Sequence, residues 1–209
     1  KYIMFIDSDD YLYNPLVLKK IYNDINNTKS DILSSLFLTE FDKYYSLNDY
    51  NFTWLHGKIY CRKFLEDNNI FFNGTRENED NAFNRLSLFY NPKIAYSYIV
   101  TYVYADNNNS ITRKDNYSFK FYGIESYIYN MNWAMKEYMK QNKNGDFENI
   151  LITSIGTLVS VYYYYLEFYK EKEKANQILK WSVSTKKIFN SLEEKYNVKK
   201  RSVNYNPKS

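Results

Sequence analysis

A short apolar run, Tyr2-Ile3-Met4-Phe5-Ile6, stops abruptly at Asp7-Ser8-Asp9-Asp10. An unbroken run of this length reads as a strand buried on both faces, the kind found inside α/β sheets. Ligands of open α/β sheets bind at the carboxyl ends of strands, where these acids fall. Three clustered carboxylates repel one another unless a cation sits among them, and a divalent ion relieves the repulsion. The plainer alternative is a helix N-terminus capped by acidic residues.

Other acidic motifs fit poorly. An EF-hand loop starting at Asp7 would want Gly and Glu where the chain has Leu12 and Leu18. A haloacid-dehalogenase-type phosphatase would want Thr at the place of Tyr11. The single Cys61 excludes an internal disulfide framework. The single His56 excludes a multi-histidine metal site, so oxygen ligands are expected for any metal, with Mg²⁺, Mn²⁺ or Ca²⁺ as the ion.

Downstream, Pro15 suits the start of a helix reaching about Asn27. Residues 31–41 and 94–104 read as strands, 42–53 and 70–78 as loops, and 62–69 and 81–90 as helices. After residue 117 strand signals vanish, and helices are expected over roughly 118–142, 147–170 and 175–197. The expected organisation is an α/β body over 1–115 and a helical extension over 116–209. The stretch 150–169 is long enough for a bilayer, but its Ser, Thr, Gly, Tyr and Glu167 argue for a core or interfacial helix. The abundance of Tyr (25) and Phe (14) beside only 5 Gly reads first as the codon bias of an AT-rich genome, so it is weak evidence for a sugar-stacking surface. Residues 170–209 carry 11 Lys/Arg against 4 Asp/Glu, a basic tail able to meet an anionic membrane surface. No nucleic-acid module accompanies it, and no nucleic-acid partner is expected.

A second acidic cluster, Glu77-Asn78-Glu79-Asp80, opens the helical run to Tyr90. With the first, it allows one carboxylate group to hold metal while the other acts as base. At this point the chain resembles the C-terminal two-thirds of a family 2 glycosyltransferase with a GT-A fold. Tyr2 to Leu12 resembles that family's strand and DxD motif. Trp54 through Leu65, with Gly57-Lys58-Ile59-Tyr60 and Arg62-Lys63-Phe64-Leu65, resembles its W-x-K-x-Y-x-R-x-F-L segment. Asn69-Ile70-Phe71-Phe72 followed by Glu79-Asp80-Asn81-Ala82-Phe83 resembles the segment ending in its E-D-x-x-F motif, and Tyr102 to Thr112, ending in Ser110-Ile111-Thr112, its closing strand and loop. The resemblance covers residues 1–113.

The resemblance implies a partial GT-A (Rossmann-like) mixed sheet with flanking helices, then a helical C-terminal extension. It implies an inverting, metal-dependent transfer of a sugar from a nucleotide-diphosphate donor, a UDP-sugar first of all. The acceptor would be a glycan or lipid-linked hydroxyl, in surface polysaccharide synthesis on the cytoplasmic side, at the inner face of the membrane. Asp7, Asp9 and Asp10 would bind the nucleotide-sugar, with Asp9 and Asp7 on Mn²⁺ or Mg²⁺ and Asp10 also a candidate helix cap. Asp80 would be the general base, with Glu79 second in line. Trp54 would wall the acceptor and Lys58 would help bind it, or with Arg62 reach phosphates. The family's basic residue before the closing loop is replaced here by Tyr104-Ala105-Asp106-Asn107-Asn108-Asn109, and Arg113 is the next base. A chain opening in mid-strand, without the β-α units that begin the family fold, is expected to be a piece of a longer protein with feeble activity alone. A non-catalytic, degenerate glycosyltransferase module for binding or assembly is the competing expectation.

Overall fold

A computed structural model describes residues 1–107, 121–141, 159, 170 and 172–196. The chain divides into two compact units, Lys1–Met131 and Asn132–Ser209.

The first unit is built on a mixed six-stranded sheet of order β1-β5-β3-β6-β2, with β4 added on β3. Its strands are β1 (Tyr2–Met4), β2 (Tyr11–Leu12), β3 (Ile32–Phe41), β4 (Tyr44–Asn48), β5 (Lys58–Cys61) and β6 (Ile94–Tyr104). Among the described residues only β3 and β6 run parallel; the other pairs are antiparallel. Helix α1 (Val17–Thr28) repeats Val17, Ile21 and Ile25 at four-residue spacing and lays them against Leu33 and Ile59. The neighbouring residue Tyr60 points the other way, to Phe83 of α3 (Glu79–Phe89), because successive strand side chains alternate. Phe5 fills the space between Tyr60, Phe72 and Phe83 with ring contacts of 5.1–6.0 Å. The short α2 (Arg62–Asp67) follows β5 directly, and its Arg62 is engaged in an exposed pair with Glu66.

Three expectations change. The first strand spans only Tyr2–Met4 and is half-buried, because it lies at the sheet edge with β5 as its pairing partner. The segment 42–53 is not all loop: Tyr44–Asn48 pairs with Phe37–Phe41, a hairpin whose outward face is largely exposed and so carries little apolar periodicity. Helix α1 begins seven residues after Asp10, with β2 between them, so Asp7–Asp10 do not cap a helix. Glu79 and Asp80 do occupy the first turn of α3.

Helix α4 (Phe121–Gln141) runs through the division between the units. In the second unit, Ala134, Met135, Tyr138 and Met139 are buried at helical spacing, as are Ala175 and Ile178 of α5 (Lys172–Tyr196). Among the described residues no helix is long and apolar enough to cross a membrane. The stretch 150–169 lies outside the described residues apart from Val159. The closing-loop motif Ser110-Ile111-Thr112, Arg113 and the end of the basic tail lie outside them altogether.

Candidate functional site

The chain leaves β1 and turns sharply, with the Asp10 N–H donating to the Asp7 carbonyl at 3.1 Å. The Asp10 carboxylate accepts hydrogen bonds from the Tyr102 hydroxyl and from the Ala105 N–H, the latter at 2.8 Å. Burial still pushes the Asp10 carboxyl upward, against these two bonds. Asp9 points elsewhere and accepts a 2.7 Å bond from the Asn107 side-chain amide.

His56 is brought to the same place by Gly57. Gly57 sits at φ +68°, and its carbonyl accepts both the Ser35 N–H (2.8 Å) and the Ser35 hydroxyl (2.7 Å). The His56 ring is 9% exposed and lies nearly parallel to Tyr102 (4.7 Å) and Tyr104 (4.9 Å), with Trp54 at 6.0 Å and the edge of Phe37 at 5.3 Å. Its Nε2 faces the Asp7 carboxylate at 3.9 Å, an electrostatic contact too long for a direct hydrogen bond. The imidazole is the main reason the Asp7 carboxyl lies below the usual carboxylate range, with burial acting in opposition. The buried Nδ1 has no hydrogen-bond partner.

Asp7, Asp10 and His56 thus present ligand atoms within 4.8 Å of one another. This is not the oxygen-only set anticipated from sequence: a nitrogen joins it, and Asp9 stands outside. Two carboxylates, the His56 Nε2 beside Asp7 and an open face toward exposed Asp7 fit a divalent cation such as Mn²⁺, which takes oxygen and nitrogen donors.

The second acidic cluster converges on the first. Asp80 is half-buried at the start of α3, and its carboxylate accepts the Asn81 N–H at 2.6 Å. Burial pushes Asp80 up to about 6; the Glu79 and Asp7 charges add to the rise while His56 opposes it. Burial also raises Glu79, and Asp7 and Glu77 contribute. Lys58 is 1% exposed rather than open to an acceptor. Its ammonium donates to the His56 carbonyl at 3.3 Å and lies 5.1 Å above the Phe52 ring. Burial lowers it to about 8, partly offset by the Asp80 charge. Trp54 is half-exposed; its carbonyl accepts from the Asn84 amide, whose oxygen accepts the Tyr60 hydroxyl. An apolar groove between α1 and β1, lined by Met4, Leu18 and Tyr22, holds none of these groups.

Sequence reading passed over His56 and Tyr102. The signal for His56 was its place as the sole histidine, two residues after Trp54. Tyr102 had none, being one tyrosine among 25.

No protein-family model matches the chain, and no curated protein matches it. Among solved structures, the chain is similar to S. aureus TarS 1–349 in complex with UDP-GlcNAc, with TM-score 0.53 and 19% identity, covering 94% of this chain and 67% of that one. It is also similar to a second structure of S. aureus TarS, with TM-score 0.51 and 21% identity, covering 80% of this chain but only 29% of that one. At these identities the likeness establishes the fold alone.

Proposed function

We propose that the chain is the metal- and acceptor-binding part of an inverting glycosyltransferase of the family 2, GT-A type. It would move a sugar from a nucleoside-diphosphate donor to a hydroxyl of a glycan or lipid-linked acceptor. The observation that carries this reading is the half-buried Asp80, raised to about 6, beside the Asp7, Asp10 and His56 group on a glycosyltransferase fold. The similar TarS structure holds UDP-GlcNAc, which makes a UDP-sugar the first donor to test.

In this reading Asp80 removes the proton of the acceptor hydroxyl as that oxygen attacks the anomeric carbon. A base with a pKa near 6 is ionised at neutral pH yet still basic enough to take the proton. Glu79 orients the acceptor, and the half-exposed Trp54 ring walls it. The Lys58 ammonium, buried behind His56, offsets the Asp80 charge rather than touching substrate. Asp7, Asp10 and His56 would hold Mn²⁺ or Mg²⁺, with Asp9 on the nucleotide side. When bound, the ion supplies positive charge against the diphosphate leaving group. We assign this chemistry to residues 1–115 and a supporting role to residues 116–209, whose basic sequence toward the C-terminus suits the inner face of a membrane.

Two results test the reading. Thermal unfolding with Mn²⁺ and UDP at about a hundred times the dissociation constant should gain about 2.7 kcal/mol, a rise of roughly 5–10 °C. The gain should vanish without metal. A flat response would favour the competing non-catalytic module, to which the replacement of the family's basic residue near Asn107 lends support. Donor turnover, followed as UDP release from UDP-GlcNAc, should also rise with pH through about 6 as Asp80 ionises. A profile flat from pH 5 to 8 would remove Asp80 as the base.

A further inference from the structure

One side chain touches every member of the candidate cation site. Tyr102, on β6, is 1% exposed. Its hydroxyl donates to the Asp10 carboxylate and accepts the Asp7 N–H at 3.4 Å, so it joins both ends of the Asp7–Asp10 turn. Its ring lies 4.7 Å from the His56 ring at an interplanar angle of 17°.

The His56 contact has a particular meaning. Metal-ligating histidines are ordinarily oriented by a hydrogen bond from the ring nitrogen that faces away from the metal. Here Nδ1 has no such partner, and Nε2 is 3.9 Å from Asp7. The ring is held instead by packing against Tyr102 and Tyr104. A buried tyrosine needs one partner for its hydroxyl; this one has two, both in the same acidic turn.

We propose that Tyr102 is the positioning residue of the cation site, its hydroxyl fixing the Asp7–Asp10 turn and its ring fixing the plane of His56. This deepens the reading above and rests on its cation. The residue acts through the three ligands and does not itself touch the ion. The hydroxyl and the ring therefore contribute separately. Tyr102→Phe loses only the hold on the Asp10 carboxylate and the Asp7 N–H, whereas Tyr102→Leu also frees the histidine.

The test is Mn²⁺ titration of the full chain, read by the electron paramagnetic resonance signal of free Mn²⁺. Near-UV circular dichroism checks that each variant is folded at the titration temperature. Tyr102→Phe should weaken Mn²⁺ binding about tenfold, and Tyr102→Leu roughly a hundredfold, the range found for partners that orient ligands. Ile25→Val, a mild core truncation on α1 away from the site, controls for lost stability. It should bind Mn²⁺ as the wild type does. A Tyr102→Phe protein that titrates like wild type overturns the inference, as does an Ile25→Val protein that loses as much affinity. Failure of the wild type itself to take up Mn²⁺ would instead sink the cation reading, and the positioning role with it.

Discussion

Asp80→Asn should lower donor turnover about a thousandfold, within the range assigned to general bases, while nucleotide binding stays at the wild-type level. The replacement is nearly isosteric, and its amide oxygen can still accept the Asn81 N–H that the carboxylate accepts at 2.6 Å. What it removes is the ability to take a proton. Its effect on stability should have the opposite sign. Burial raises the Asp80 pKa from an ordinary 3.8 to about 6, so the folded chain holds a proton there that the unfolded chain releases. The favourable contribution is present below about pH 4 and is lost as pH rises through 6. At pH 8 the folded protein carries a half-buried, partly desolvated charge that Asn does not. The variant should therefore melt no lower than wild type at pH 8, and its melting temperature should depend less on pH between 4 and 6. An inactive variant that also melted well below wild type at pH 8 would point to a structural role for the carboxylate. A fully active one would end its assignment as the base.

Gly57→Ala should produce the largest loss of stability of any single methyl group added near the site. Gly57 holds φ +68°, where a β-carbon costs on the order of 1–2 kcal/mol. That carbon would also stand 2.8 Å from the Ser35 carbonyl oxygen, a backbone atom in the middle of β3 that cannot swing aside. Overpacking of this kind adds roughly 1–3 kcal/mol. A total of about 3 kcal/mol corresponds to a fall of roughly 6–12 °C in Tm for a chain of this size. The two neighbours of Gly57 are His56 and Lys58, so any backbone shift that relieves the contact displaces the imidazole from Asp7. The variant should lose cation affinity along with stability. By contrast, Gly74→Ala has open space around its β-carbon and only the positive φ to overcome, so it should lose less stability and keep the cation. Equal melting losses in the two variants would show that the Ser35 contact relaxes without consequence.

Much of the fold was legible because local patterns and tertiary burial agree. Helix α1 carries Val17, Ile21 and Ile25 at one period, and β3 carries Ile32-Leu33 and Leu36-Phe37-Leu38 on either side of two serines; both formed close to where the residues put them. The acidic turn was legible as chemistry because three clustered carboxylates repel unless a cation relieves them, and the acidic start of α3, which the helix dipole alone would favour, gained meaning only beside it. Strand β6 shows where such reading stops. Tyr96, Tyr98 and Tyr102 share one parity, and simple alternation would place them on one face. Register shifts between β3 and β6, around Ser35, Leu36 and Phe37, break that parity. Tyr98 is left 86% exposed, while Tyr102 is buried beside Phe37 and His56. A bulge changes which face every later residue points to, and its position depends on the partner strand rather than on the strand's own sequence.

The residues by themselves thus determined the α/β body, the placing of its acids at a strand end and a helix start, and the helical character of α4 and α5, because periodicity and charge act over a few neighbours. Only the tertiary structure decided that β1 is an edge, that Asp10 and His56 rather than Asp9 share a site with Asp7, and that Lys58 is buried. Those outcomes depend on β5, β3 and β6 meeting at Gly57 and Tyr102, contacts between residues far apart in the chain that no local pattern encodes.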